Sequence, residues 1–365
     1  MAIYALPLYV TGPVGSDEAG AGLAFGAFGV TALVCRPFAG RFSDFRGRRP
    51  VLVLGALLCG TGMVLLPYAD SLVEVVGLRL LQGVAEAAFF VAGFALLADL
   101  APPSRMGEAL SYNSLGLYLG IAFGPALGEV LVEQWDFTAA WNGATALSVL
   151  AAVLVLGIRA PAREPDQGAG HGKLIHRPGI PVSIAFFASS ASISGFLAFA
   201  SLHSREIGLS NTSLALFVYG CVVVLGRIAF ARIPDRLPSL PLGACSLVAI
   251  GAGLTVIALS RHPIGLFGGV VSMALGVTFS TPAFFSAIFA TARPSERGAA
   301  AGTASAFIDL GLGFGPILLG LVAASRGIPG AFAVGAGIAF AGALWTLRLV
   351  RVDALGDHRG STETS

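Results

Sequence analysis

Charge is what this chain has least of. Only 12% of its 365 residues are Asp, Glu, Lys or Arg, against roughly 25% in an ordinary soluble domain. Lysine is nearly missing, since Lys173 is the single lysine among 22 basic residues. It is followed by Leu174 and cannot complete a phosphate-binding P-loop, which removes ATP-driven chemistry. Cysteine is scarce too. Cys35, Cys59, Cys221 and Cys245 all fall inside apolar runs, where a thiol behaves as a small hydrophobe, so neither a disulfide framework nor a metal set is expected. There is no His-Glu-x-x-His helix, no Gly-x-Ser-x-Gly elbow and no paired carboxylates in a polar loop. An enzyme is therefore not expected, nor a catalytic residue, nor a cofactor. A net charge of +2 makes no case for nucleic acid.

What the chain has in plenty is apolar length. Hydrophobic residues make up 55% and there are 49 glycines, small residues being what membrane helices use to bring backbones together. Apolar stretches of about 20 residues, enough to cross a bilayer as helix, recur at 19–40, 51–68, 73–99, 107–132, 138–158, 179–202, 211–231, 240–259, 263–290, 298–323 and 328–350. A short apolar stub, Met1 to Val10, precedes them and rises only about 15 Å as helix. It reads as the outer half of a first helix, with a misassigned start or a truncated gene as the expected cause.

Arginine placement sets the orientation. One set of breaks carries Arg41, Arg46, Arg48, Arg49, Arg105, Arg159, Arg163, Lys173, Arg177, Arg232, Arg236, Arg293 and Arg297; the other holds only Arg205, Arg261 and Arg326. The basic set is expected to face the cytoplasm, together with the C-terminus, in a multi-pass protein of the inner (plasma) membrane. Residues 159–178, rich in Pro, Gly and charge, read as a cytoplasmic linker between 1–158 and 179–350, with 351–365 a cytoplasmic tail. The halves repeat. Arg36, Arg41, Asp44, Pro103, Ser104, Gly107, Gly124 and Pro125 recur 191 positions later as Arg227, Arg232, Asp235, Pro294, Ser295, Gly298, Gly315 and Pro316. The expected fold is an all-α membrane protein of two pseudo-symmetric six-helix bundles, the first with a partial helix 1, related by an axis along the membrane normal.

Three motifs carry the chemistry. Gly40-Arg41-Phe42-Ser43-Asp44-Phe45-Arg46-Gly47-Arg48-Arg49 follows the second helix; Gly40 permits close helix approach, Gly47 a tight turn, and Asp44 can accept from amides at a neighbouring helix N-terminus. Arg79-Leu80-Leu81-Gln82-Gly83 lies in the fourth helix, with Glu86 two turns on along the same face. A mid-membrane carboxylate costs about 2.5 to 3.5 kcal/mol on insertion scales, so it turns to a protein or water-filled interior, where burial penalises the charged form and suits it to carry a proton. Glu86 is the expected coupling residue, with Arg79 tuning it or binding an anionic group, and Asp309 is a second membrane carboxylate for the same cavity. In the fifth helix Gly116, Gly120, Gly124, Pro125 and Gly128 form a smooth strip bent at the proline.

On these motifs the chain resembles major facilitator superfamily transporters. The first is similar to the family's G-x-x-x-D-R-x-G-R-R loop, with Phe45 where the family commonly has Arg; the second to its R-x-x-Q-G pattern; the third to its G-x-x-x-G-P-x-x-G antiporter signature, placing the chain near the twelve-helix drug/proton antiporters. The resemblance implies that Asp44 and Arg48, with Gly40, Gly47 and Arg49, latch a cytoplasmic gate against the eleventh helix, echoed by Asp235. It implies a monomer working by alternating access, whose partners are a small-molecule substrate, protons and the bilayer. Proton-coupled efflux of a small organic solute leads. Uptake of a sugar or metabolite by symport is the alternative, and a membrane enzyme or an inactive remnant are the rivals from other classes.

Overall fold

The computed structural model describes residues 1–100, 106–158, 175–230, 232–293 and 296–362, and the side chains of 98, 106–114, 235, 297, 298 and 353–362 fall outside the description. Every regular element among the described residues is helical. The helices are α1 (Ala2–Thr11), α2 (Glu18–Arg46), α3 (Arg48–Leu65), α4 (Leu72–Leu100), α5 (Met106–Gln134), α6 (Phe137–Leu156), α7 (Ile180–Glu206), α8 (Leu214–Ala229), α9 (Ser239–Leu259) and α10 (Pro263–Ala290). Single turns stand at Leu66–Tyr68, Arg177–Gly179 and Ile233–Arg236. A final run, Arg297–Thr362, is broken at Gly327, where φ is 76°, a left-handed conformation that glycine adopts at no steric cost. Its arms, 297–326 (α11) and 328–362 (α12), double back, for a Cβ built on Gly335 would lie 3.9 Å from Leu319. Nine helical stretches among the described residues are long and apolar enough to cross a membrane.

Charge placement explains where the helices begin. On the arginine-poor side, Asp17 accepts from the Gly20 amide at the start of α2 and Asp136 from the Ala139 amide at the start of α6. At α4, the Glu74 carboxylate takes the Asp70 and Ser71 amides while Ser71 Oγ takes that of Glu74. Each cap satisfies donors that the first turn leaves open and sets an acid at the positive end of the helix dipole. The arginine-rich side uses the opposite chemistry. There Arg49 donates to the Leu156 carbonyl at the end of α6, and Gly47 turns α2 into α3 at φ 89°, the tight turn expected of it.

Within the first half α4 packs on α2 and α3, and α3 on α6; within the second, α9 packs on α10, and α7 on the Arg297–Thr362 run. The halves meet along two seams, α2 with α11 and α5 with α8. Glycine makes both. A Cβ on Gly26 would stand 2.1 Å from the Gly313 carbonyl oxygen, one on Gly22 would stand 2.3 Å from that of Pro316, and one on Gly220 would stand 2.6 Å from Ala122. α1 is wedged among α2, α5 and α7, its Tyr9 hydroxyl donating to the carbonyls of Leu66 and Ala69 while its ring meets Trp141 edge-on.

The eleven predicted spans all correspond to helix; the last two merge into one run because no loop separates them, only Gly327. The linker from 159 to 174 and the repeat positions Pro103, Ser104, Pro294 and Ser295 lie outside the described residues.

Candidate functional site

Two membrane carboxylates anticipated from the sequence meet in space, and the group that joins them is Arg36. It stands on α2, Glu86 on α4 and Asp309 on α11, so the cluster ties both bundles across the first seam. Arg36 Nη2 donates to Glu86 Oε1 at 3.2 Å and to Asp309 Oδ1 at 2.9 Å. Its Nε lies 2.7 Å from Asp309 Oδ2, close enough for ion contact but with the N–H out of line. The Arg36 guanidinium also lies 5.7 Å from the Phe90 ring centre. The Asp309 side chain is 7% exposed, that of Glu86 15% and that of Arg36 21%, so the cluster is largely withdrawn from solvent yet not sealed. One guanidinium faces two carboxylates. With all three ionised the trio carries one uncompensated negative charge, and Glu86 Oε2 is buried with no hydrogen-bond partner.

Arg79 does not belong to this cluster. Its Nε donates to the Ala24 carbonyl at 3.0 Å, its Nη1 to Gln82 Oε1 at 2.6 Å and its Nη2 to the Phe25 carbonyl at 3.5 Å, and its guanidinium lies 4.7 Å from the centre of the Phe28 ring. The expectation that Arg79 tunes Glu86 is corrected on distance: seven residues return to the same helical face but climb about 10 Å. Arg79, held by Gln82 of its own helix, instead braces α4 against α2, and Arg36 takes the place beside Glu86. In the sequence Arg36 stands out only as one half of a repeat pair with Arg227.

The loop motif is drawn together by Arg48, which pairs with Asp44, donates to Ser43 at 3.2 Å and reaches Asp99 at the end of α4 at 3.3 Å. Gly40 is corrected as a close-approach position, because its built Cβ meets Val91 at an ordinary 3.7 Å. The expected gate partner at the start of α11 and the echo at Asp235 lie outside the described side chains. The fifth-helix strip is corrected in part. Gly124 and Gly128 abut Met1, but among the described residues nothing lies within 4 Å of a Cβ on Gly116 or Gly120; α5 reaches its partner helix at Ala122, on another face. Glycine spacing marks where a helix can approach and leaves open whether one does.

A third carboxylate went unnoticed in the sequence. Glu129, near the end of α5, is 6% exposed and accepts from the amides and hydroxyls of both Thr212 and Ser213, with the Tyr4 hydroxyl at 3.5 Å. It caps α8 from the opposite half and closes the second seam on the arginine-poor side. Its signal was present, as an acid just inside the end of a span and an Asn211-Thr212-Ser213 start for the next helix across, but only topology joins them. Replacing Glu129 with Ala strands two amides and two hydroxyls. Spin labels at the exposed positions 135 and 210 are expected to move apart in Glu129→Ala and less in Glu129→Gln, read by pulsed electron resonance in the otherwise cysteine-free protein.

A family model described as the Major Facilitator Superfamily matches residues 1–260. The chain belongs to that superfamily. An uncharacterized MFS-type transporter of Salmonella typhimurium is 26% identical over 361 residues, covering 95% of this chain and 91% of that one. Multidrug resistance protein 1 of Bacillus subtilis is 27% identical, covering 81% and 78%. Among solved structures, a nucleoside transporter superposes with a TM-score of 0.79 at 12% identity over 95% of this chain and 94% of that one. An inward-facing bacterial homologue of the human lysosomal transporter Spinster gives 0.71 at 16% identity over 98% and 92%. These likenesses show the major facilitator fold. A member of this superfamily is a multi-pass membrane transporter and not an enzyme.

Proposed function

We propose that this transporter exports a small organic solute in exchange for protons by alternating access, with the Arg36, Glu86 and Asp309 trio as its coupling site. The observation that carries the reading is the sharing of one guanidinium between two carboxylates from opposite halves, with Glu86 Oε2 left unpartnered. A proton on Glu86 removes the excess charge and weakens its hold on Arg36, which is then committed to Asp309; its release restores the three-way contact. Charge uptake is thus linked to how firmly α4 is tied to the α2–α11 seam. Likeness to a multidrug resistance protein and to the antiporter signature supports export. Arginine asymmetry supports a cytoplasmic C-terminus and residence in the inner membrane. Residues 1–158 and 179–350 act as the moving halves of a monomer, and the Gly40–Arg49 loop holds the cytoplasmic side through Asp44 and Arg48.

The test uses everted vesicles with an imposed proton gradient and a panel of candidate solutes, proton release being followed with a pH-sensitive dye. Wild type is expected to release protons on addition of a transported solute. Glu86→Gln is expected to abolish that release while solute exchange without a gradient continues. Unaltered proton release in Glu86→Gln would remove the coupling role.

A further inference from the structure

The repeat that relates the halves also relates the seams, and it picks out a charge with no carboxylate partner among the described residues. A shift of 191 positions carries Arg36 to Arg227 on α8, Asp309 back to Tyr118 on α5, and Glu86 to Val277 on α10. The structure honours this correspondence. Arg36 contacts Asp309 across one seam, and the Arg227 guanidinium lies 4.7 Å from the centre of the Tyr118 ring across the other. The second seam has kept its arginine and lost both acids. Val277 is buried, and no carboxylate pairs with Arg227 among the described residues.

An arginine near a helix C-terminus is ordinarily explained by snorkelling, which would place its head in water or headgroups. Arg227 is only half-buried, but part of its head is turned into the protein. Its Nε is buried without a hydrogen-bond partner, and its head stacks on an aromatic ring of the opposite half. The π-face of Tyr118 offsets part of the charge but accepts none of the fork of N–H donors that matches an oxyanion. Tyr219, about two turns earlier on α8 and fully buried, and Thr278, against whose Oγ1 a Cβ on Gly226 would sit at 3.0 Å, set hydroxyls on the same side of the second half.

We propose that Arg227 is an anion-binding subsite, and that the transported solute brings the missing counter-charge as a carboxylate, sulfonate or phosphate monoester. The inference rests on the transport reading for what occupies the subsite. The solute then bridges α8 to α5 much as Asp309 bridges α11 to α2, so that loading the second seam makes it resemble the first.

The experiment measures binding at equilibrium, by thermal unfolding of the purified full-length protein in detergent with no proton gradient, so that a failure of coupling at Glu86 and a failure here are separately visible. The probes are benzoate, naphthalene-2-sulfonate and phenyl phosphate, with benzamide as the uncharged control. At least one anion is expected to raise the unfolding midpoint saturably in wild type, and benzamide is expected not to. Arg227→Gln should weaken that anion about tenfold or more, as befits loss of a charge-assisted pair, with Arg227→Lys intermediate. Tyr118→Asp rebuilds the Arg36–Asp309 arrangement at the second seam and should abolish the shift with Arg227 still present, which decides the matter if Arg227→Gln folds poorly. No saturable shift with any of the three anions, or equal affinity in wild type and either Arg227→Gln or Tyr118→Asp, would overturn the proposal.

Discussion

Arg36→Gln is expected to abolish gradient-driven transport, lowering it by about 100-fold or more, and to destabilise the protein by about 3 to 5 kcal/mol, the range for removing one partner of a buried ion pair. The substitution leaves Glu86 and Asp309 facing each other with no cation between them, and like charges in a largely desolvated site repel strongly. Two outcomes separate stability from function. Adding Asp309→Asn to Arg36→Gln removes one of the stranded charges and should recover much of the lost thermal stability, read as the unfolding midpoint in detergent. Transport should not return, because the double variant has no guanidinium to be exchanged between two acids. A single variant with wild-type stability and transport would show that the trio is an incidental contact.

The second large effect is steric. Gly26→Val should prevent assembly of the α2–α11 seam, because even the first carbon of the new side chain would lie 2.1 Å from the Gly313 carbonyl oxygen and 2.6 Å from Ile317. Backbone cannot yield that distance locally, so the helices must part by an ångström or more, and the displacement reaches Gly22 and Gly29, whose built Cβ atoms also meet α11 backbone at 2.3 and 2.7 Å. Overpacking a tight core typically costs about 1 to 3 kcal/mol and can exceed it; here the obstacle is main chain on a second helix. Loss of monodisperse protein on size-exclusion chromatography, with Gly116→Val behaving as wild type because no described residue lies within 4 Å of its Cβ, is the expected pair of results.

The helices and the placement of the membrane acids were legible for one reason: lipid forces long apolar runs, and any acid inside them must turn inward. Glu86 and Asp309 were found that way, one in each half, without knowledge that they share one arginine. Arg36 was harder. Arginines cluster toward that end of α2, where they usually mark topology, and only the fold shows that this one points between bundles. Helical periodicity put Arg79 and Glu86 on one face but says nothing about rise along the axis, which is why the predicted partnership failed. Glu129 and its α8 donors are 83 residues apart, joined by packing that no local pattern encodes. The glycines of α5 misled in the opposite direction from those of α2: regular spacing singled out Gly116 and Gly120, while the tight contacts at Gly22, Gly26 and Gly29 follow the irregular spacing set by where α11 crosses.

The junction at Gly327 has a mechanical corollary. Two long arms meet there through one residue, and the second is moored to the opposite end of α7 by the Trp345 indole, which donates to the Pro181 carbonyl at 2.8 Å. On the proposed transport cycle, any movement of α11 that loosens Asp309 from Arg36 would meet α12, and through it α7, with no loop in between. The closing pair of helices thus shares a one-residue joint, whereas seven residues, 207–213, part α7 from α8.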